Sequence, residues 1–396
     1  MKKMNRRLSN NFKRKQMHIW VLFSFVCCIS LFLSSVTISY YWSQGSAALD
    51  LSLHEYESSD SSVYPISPNS RSESLKVIEK SNAQRKHIQR KRMGLPGIAW
   101  LMSFPNSGTS FTMHLVGKVS KSTVATNYGK EYQLEFHEHV EPIPLSNKSP
   151  NGPFLLSPKK TLPPVDSFIL TKTHCGGYCT NCSPNMYIET KHSFKSKCAQ
   201  GSMVDANETK ILLQYDFNNV EKAIHLVRDP FNNIVSNFHL DRNKKVKGDN
   251  TAWLLKFPNN ASGFKQWCRS IDTMHYEEEI DSNFLPNFIT TLYRDVPCHT
   301  LFYLFAEWHN LARQVTLDLT LPTLIIHYEE YEHNFESTLS NIMEFLNLPR
   351  AQEPIEFISG KVYDDYFTLD ERLAAKQLVQ AISDEWTWSV VSRYFP

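Results

Sequence analysis

Apolar and polar positions fall into three regimes along this chain. The first is an almost unbroken apolar run over residues 19–42, inside a stretch with no formally charged residue between Lys15 and Asp50. At 1.5 Å per helical residue, such a run crosses the ~30 Å hydrocarbon core of a bilayer. One membrane-spanning helix is therefore predicted over residues 18–42. Tyr40, Tyr41 and Trp42 close it with the aromatic cluster expected at a membrane interface. Lys2, Lys3, Arg6, Arg7, Lys13, Arg14 and Lys15 precede it without an acid, so the positive-inside tendency places residues 1–17 in the cytosol. Everything after the span is then lumenal or extracellular. A signal peptide cleaved near Ser46, Ala47 and Ala48 is the alternative, but such peptides carry an apolar core of only about 7–15 residues. The anchor fits better.

The second regime, residues 43–94, is Ser-rich, sprinkled with acids, and lacks the apolar periodicity needed to build a core. It is expected to be a flexible stem. Its closing basic run, residues 85–92, reads as a solvated hinge, with a processing site or a contact for an anionic glycan as alternatives. In the third regime, residues 95–396, short apolar runs alternate with helical stretches, the mark of an α/β domain with a largely parallel sheet. Residues 98–102, 168–170, 223–227 and 324–326 read as buried strands. Helices are expected up to Val119, from Pro230, over about 301–316, near 335–346, and from a capping box at Thr368 and Glu371 to about Ile382. Residues 131–162, loaded with Pro and His, are expected to form a long lid or insertion.

Composition narrows the class. With 41% hydrophobic residues and only 13 Gly in 396, the chain is neither collagen-like nor wholly disordered. With 42 basic against 40 acidic residues it also lacks the one-sided charge of a dedicated nucleic-acid binder. Cys27 and Cys28 fall in the predicted span, and Cys175, Cys179, Cys182, Cys198, Cys268 and Cys298 beyond it. An even number in an oxidising lumen favours disulfides, with the pairing open. Sequons at Asn147, Asn207 and Asn260 agree with that side of the membrane.

Chemistry gathers where strands end. Residues 103–110, between a strand and a helix, can wrap backbone N–H groups and the hydroxyls of Ser107, Thr109 and Ser110 around a phosphate, with Gly108 allowing close approach. Lys172, His174 and Arg228 stand at the ends of two other strands, where ligands of open α/β sheets bind. Ser236, eight residues after Arg228, faces from the second turn of the helix opened by Pro230, and suits a second phosphate. The Gly-x-x-x-x-Gly-Lys-Ser/Thr form of an ATP or GTP site is missing.

These segments resemble a known family. Ser-Phe-Pro-Asn-Ser-Gly-Thr-Ser-Phe-Thr at 103–112 is similar to the 5′-phosphosulfate loop of the P-loop sulfotransferases, and Val-Arg-Asp-Pro-Phe-Asn-Asn-Ile-Val-Ser at 227–236 to their 3′-phosphate segment. Lys172-Thr173-His174 resembles the catalytic strand end of the cytosolic branch, and Tyr328-Glu329-Glu330 with its following helix resembles the family's Tyr-Glu-Asp segment. The likeness runs in order from about Gly97 to Pro349 and is loose beyond. It implies a three-layer P-loop NTPase-like α/β fold with a central parallel sheet, in a membrane-anchored protein of the Golgi type, single-pass with a lumenal catalytic domain. It further implies transfer of a sulfuryl group from 3′-phosphoadenosine 5′-phosphosulfate (PAPS) to a hydroxyl or amine, with no obligatory metal. Pro105, Asn106, Ser107, Gly108, Thr109 and Ser110 would hold the 5′-phosphosulfate, Arg228 and Ser236 the 3′-phosphate, and Tyr328 the adenine. Lys172 would steady the sulfuryl or leaving group. His174 is the favoured base, because an imidazole near pKa 6.5 is poised to take a proton. The acceptor expected in a lumen is a glycan or glycoprotein hydroxyl, with protein tyrosine second.

Three departures qualify the likeness. The family usually has Lys or Arg where this loop has Asn106, so the charge that steadies the bridging oxygen must come from elsewhere, Lys172 being one source, or activity is weak or absent. Golgi members often use a glutamate soon after the first helix, which makes Glu131 a rival base. The cytosolic branch's Arg-Lys-Gly loop has only Lys361 as a weak stand-in. Other readings stay open: a zinc knuckle from His174, Cys175, Cys179, Cys182 and Cys198, a non-catalytic lumenal binding protein on the same scaffold, and an ATP-dependent kinase.

Overall fold

The computed structural model describes residues 94–145, 151–156, 161–176, 190–205, 207–281, 285–358 and 363–396. The predicted cytosolic tail, span and nearly all of the stem lie outside the described residues, as do Asn147, Cys179, Cys182 and Lys361. Among the described residues, no helix is long and apolar enough to cross a membrane.

Strand β1 (Gly97–Ser103) is buried along its whole length. Its side chains alternate between two apolar layers, Ile98, Trp100 and Met102 on one face and Ala99 and Leu101 on the other. The chain continues through α1 (Thr109–Val119), β2 (Ala125–Thr126), α2 (Gly129–Phe136), β3 (Val140–Pro144), β4 (Asn151–Leu156) and β5 (Phe168–Thr173). Next come α3 (Lys191–Cys198), the strands β6 (Gln200–Val204) and β7 (Lys210–Gln214) of a separate antiparallel hairpin, and β8 (Val220–Val227). A helical region follows: α4 (Pro230–Lys247), α5 (Thr251–Lys256), α6 (Ala261–Asp281), α7 (Asn287–Leu292) and α8 (His299–Asp318). The last elements are β9 (Thr323–His327), α9 (Glu330–His333), α10 (Phe335–Phe345), α11 (Leu369–Ile382) and α12 (Glu385–Val391).

The main sheet has the order β3-β4-β2-β5-β1-β8-β9. Strands β2, β5, β1, β8 and β9 run parallel, and β4 is antiparallel to both of its neighbours. Helices α1 and α10 cover one face through Met113, Leu115, Val116, Leu339 and Ile342. Helices α4, α8, α11 and α12 cover the other through Ile234, Val235, Phe302, Phe305, Leu378 and Val391. These are the three layers of an α/β fold whose central sheet is mostly, not wholly, parallel.

Residues 131–162 are not a lid where the structure describes them. They complete α2 and supply the β3–β4 pair that widens the sheet. Their prolines misled because Pro142 and Pro144 sit on the edge strand β3, where a missing N–H is tolerated. Among the described residues, two disulfides close nearby connections, Cys175–Cys198 and Cys268–Cys298. The first removes two sulfur ligands from the zinc-knuckle alternative. From β1 the chain turns through α1 towards β2 and β5, whereas β8 and β9 lie on the opposite side of β1. The carboxyl ends of β5, β1 and β8 thus flank a topological switch point, where a ligand crevice is expected.

Candidate active site

The loop after β1 is held by the helix after β8. Asn233 of α4 donates from Nδ2 to the Pro105 carbonyl (2.8 Å) and to Ser107 Oγ (3.0 Å). One turn on, Asn237 Oδ1 accepts from Asn106 Nδ2 at 3.0 Å. Residues four apart share a helix face, and the half-buried Ser236 lies on that same face. Asn106 has φ 65°, a left-handed conformation that asparagine tolerates better than most residues. Its amide therefore ties loop to helix, in the position where a charged side chain was expected.

Gly108 follows with φ 93° and stands at the N-cap of α1 without a side-chain cap, so the first N–H groups of that helix have no capping partner. Thr109 is buried in that first turn and Ser110 is exposed. The Tyr328 ring packs directly on Gly108, so closely that an added Cβ would lie 2.2 Å from it. Tyr328 is placed there because its N–H donates to the Val227 carbonyl at the end of β8 (2.8 Å). Arg228, the next residue along, sends Nη1 to the Asn106 carbonyl at 2.7 Å and lies 5.0 Å from the centre of the Tyr328 ring. Its Nε–H is buried with no hydrogen-bond partner among the described residues.

The second cluster surrounds the end of β5. Lys172 is 4% exposed, pairs with Glu131 Oε2 at 3.4 Å, and lies 5.5 and 5.6 Å from the rings of Tyr128 and Tyr132. A carboxylate and two aromatic faces together compensate the buried ammonium. The backbone N–H of His174 donates to the Tyr128 hydroxyl (2.9 Å), its carbonyl accepts from Trp308 Nε1 (2.8 Å), and its ring stacks on Tyr128. His174 Nδ1 lies 2.8 Å from the Ser103 carbonyl, which can only accept. Nδ1 therefore carries the proton, and Nε2 is an acceptor with no hydrogen bond to another described residue. Burial, and secondarily the Lys172 charge, push the imidazole down to about 3 against the opposing pull of the Ser103 carbonyl. Its pKa thus lies below the value near 6.5 expected from the sequence. The Ser103–His174 bond also joins the two clusters at the rim.

Backbone N–H groups, a buried cation and a glycine cradle on one rim of a mostly parallel sheet are groups that can hold an oxyanion. The chain matches the profile of the family described as Sulfotransferase domain over residues 96–367. The protein belongs to the sulfotransferase family. Comparison with curated proteins finds no match.

In this sulfotransferase several of the predicted residues meet: Asn106, Arg228, Tyr328 and Gly108 are linked in that order, Lys172 stands beside Glu131, and His174 is bonded to Ser103. Sequence reasoning missed Tyr128, Tyr132, Asn233 and Asn237. Each pair is spaced four apart in or beside a helix, and that regular recurrence of polar or aromatic groups beside a phosphate-type loop was the available signal.

Proposed function

We propose that this sulfotransferase takes its sulfuryl group from PAPS and delivers it to a hydroxyl, or an amine, of a lumenal carbohydrate chain. The observation that carries the donor reading is Arg228, a buried guanidinium that spends one N–H on the Asn106 carbonyl and leaves Nε–H open. A buried charged donor without a partner is costly, and a phosphate oxygen satisfies it. The uncapped start of α1 and the glycine cradle at 108 fit a second anionic group. When bound, PAPS supplies a sulfuryl group whose S–O bond to phosphate breaks as the acceptor oxygen attacks.

The chain's own residues position and neutralise. Lys172 offers its ammonium to the developing charge once the Glu131 contact is shared or displaced. His174 Nε2 takes the acceptor proton, with Nδ1 fixed by the Ser103 carbonyl. Its basicity in the free protein is low, and the negative charge of a neighbouring donor raises it. Glu131 is the second reading for the base, since its half-exposed carboxylate stands beside Lys172.

The N-terminal apolar run and basic tail, together with disulfides that suit an oxidising compartment, support a single-pass anchor in the Golgi membrane with the catalytic domain in the lumen. That location supports a glycan or glycoprotein as acceptor. The test is binding of adenosine 3′,5′-bisphosphate against ATP, followed by a panel of acceptors with labelled PAPS. Preference for ATP overturns the donor reading in favour of a kinase, and absence of nucleotide binding favours a non-catalytic scaffold. Arg228→Ala should weaken bisphosphate binding by about tenfold or more. His174→Ala should lower turnover by about 100-fold or more with donor affinity nearly unchanged. Full activity in His174→Ala with loss in Glu131→Ala would transfer the role to Glu131.

A further inference from the structure

Beyond residue 367, where the match to the family ends, the chain continues through α11 and α12 into a last turn at Ser392–Tyr394. We propose that Tyr394 is a positioning residue of the donor site: its hydroxyl, acting through Glu329, holds the β8–α4 turn in the geometry that presents Arg228. The proposal rests on the donor reading above.

The connection is a chain of directed hydrogen bonds. Tyr394 Oη lies 2.8 Å from Glu329 Oε2 and 2.7 Å from His327 Nδ1. A hydroxyl has one proton and a carboxylate can only accept, so the phenol donates to Glu329 and His327 donates to the phenol. The other oxygen, Glu329 Oε1, accepts the backbone N–H of Asp229 at 2.9 Å. Both carboxylate oxygens are thus occupied and the Glu329 side chain has one orientation. Asp229 in turn caps α4, its Oδ1 accepting from Phe231 N at 2.8 Å. Arg228 sits between the end of β8 and that cap, so rotation of Glu329 releases the turn that carries it.

The tail has an anchor of its own in the Phe395 ring, which meets Phe231 edge to face at 5.3 Å, whereas Arg393 Nη2 makes only an exposed pair with Glu330 Oε1 at 3.0 Å. Losing the Tyr394 hydroxyl should therefore leave the tail docked while freeing Glu329.

The test uses the full chain and four variants: Tyr394→Phe, Glu329→Ala, their double, and Arg393→Ala. Two quantities are read, the dissociation constant for adenosine 3′,5′-bisphosphate and kcat at saturating PAPS. Tyr394→Phe should bind the bisphosphate about tenfold more weakly while kcat stays within about twofold, because a charge-assisted bond that orients the donor site is lost and the ring is kept. The double variant should bind no more weakly than Glu329→Ala alone, since the two act in series. Arg393→Ala should stay within about twofold of the wild type, as an exposed ion pair contributes little. Wild-type affinity in Tyr394→Phe, additive losses in the double variant, or an equal loss in Arg393→Ala each overturn the proposal while the donor reading stands. A wild-type chain that does not bind the bisphosphate overturns both.

Discussion

Gly108 combines φ 93° with a Tyr328 ring 2.2 Å from where a Cβ would stand, so backbone conformation and space both exclude a side chain. Gly108→Ala should lower stability by about 1–3 kcal/mol in urea unfolding and abolish measurable bisphosphate binding by calorimetry, because the ring that must shift also packs on Arg228. Wild-type affinity in that variant would remove the glycine from the proposed donor site. That Gly108, Lys172 and Arg228 lie at or just beyond strand ends was legible because the apolar runs before them stop there. The protonation of His174 was not legible. It depends on the burial of the β5 end and on the Ser103 carbonyl, 71 positions away, and both arise only in the folded chain.

Among the elements, those with local chemical signals were read correctly. Pro230 opens α4 behind the Asp229 cap, and Thr368 with Glu371 forms the reciprocal capping box of α11. Thr368→Ala should cost about 1 kcal/mol and lower the melting temperature by a few degrees, with kcat unchanged. A loss of activity without a loss of stability would mean that α11 has a role besides packing. The β3–β4 pair was misread because its identity as strand comes from pairing with β2, not from its own proline-rich sequence. The asparagines of α4 were passed over for a related reason. On a helix drawn in isolation Asn233 and Asn237 are indifferent polar residues, and only the docked loop gives them their partners.

For the whole molecule, buried histidines set the response to pH. His174 and His225 are held at about 3 and His327 at about 4, in each case first by burial, and His309 is also lowered. A histidine depressed in the folded state contributes stability above its unfolded pKa near 6.5 that is lost as acid protonates the unfolded chain. Each histidine at about 3 should cost about 2 kcal/mol between pH 7 and pH 5. Asp229, raised to about 6 by burial and then by Glu329, acts in the opposite sense and returns only about 1 kcal/mol over the same range. Asp241 and Glu307, both raised by burial, act in the same direction as Asp229. The histidines dominate, so the melting temperature should fall steadily from pH 7 to pH 5. A flat or rising profile would show that these imidazoles are not buried neutral. By itself, the sequence determined most of the alternation of strands and helices, the glycine-containing loop between β1 and α1 and the cations at other strand ends, because periodicity, caps and residue chemistry act over a few neighbours. Only the tertiary structure decided that β4 runs antiparallel, that Asn106 faces Asn237, that Glu131 pairs with Lys172, and that the last turn of the chain reaches Glu329. Those are contacts between segments far apart in the chain, and their geometry exists only once the sheet has brought the strand ends to one rim.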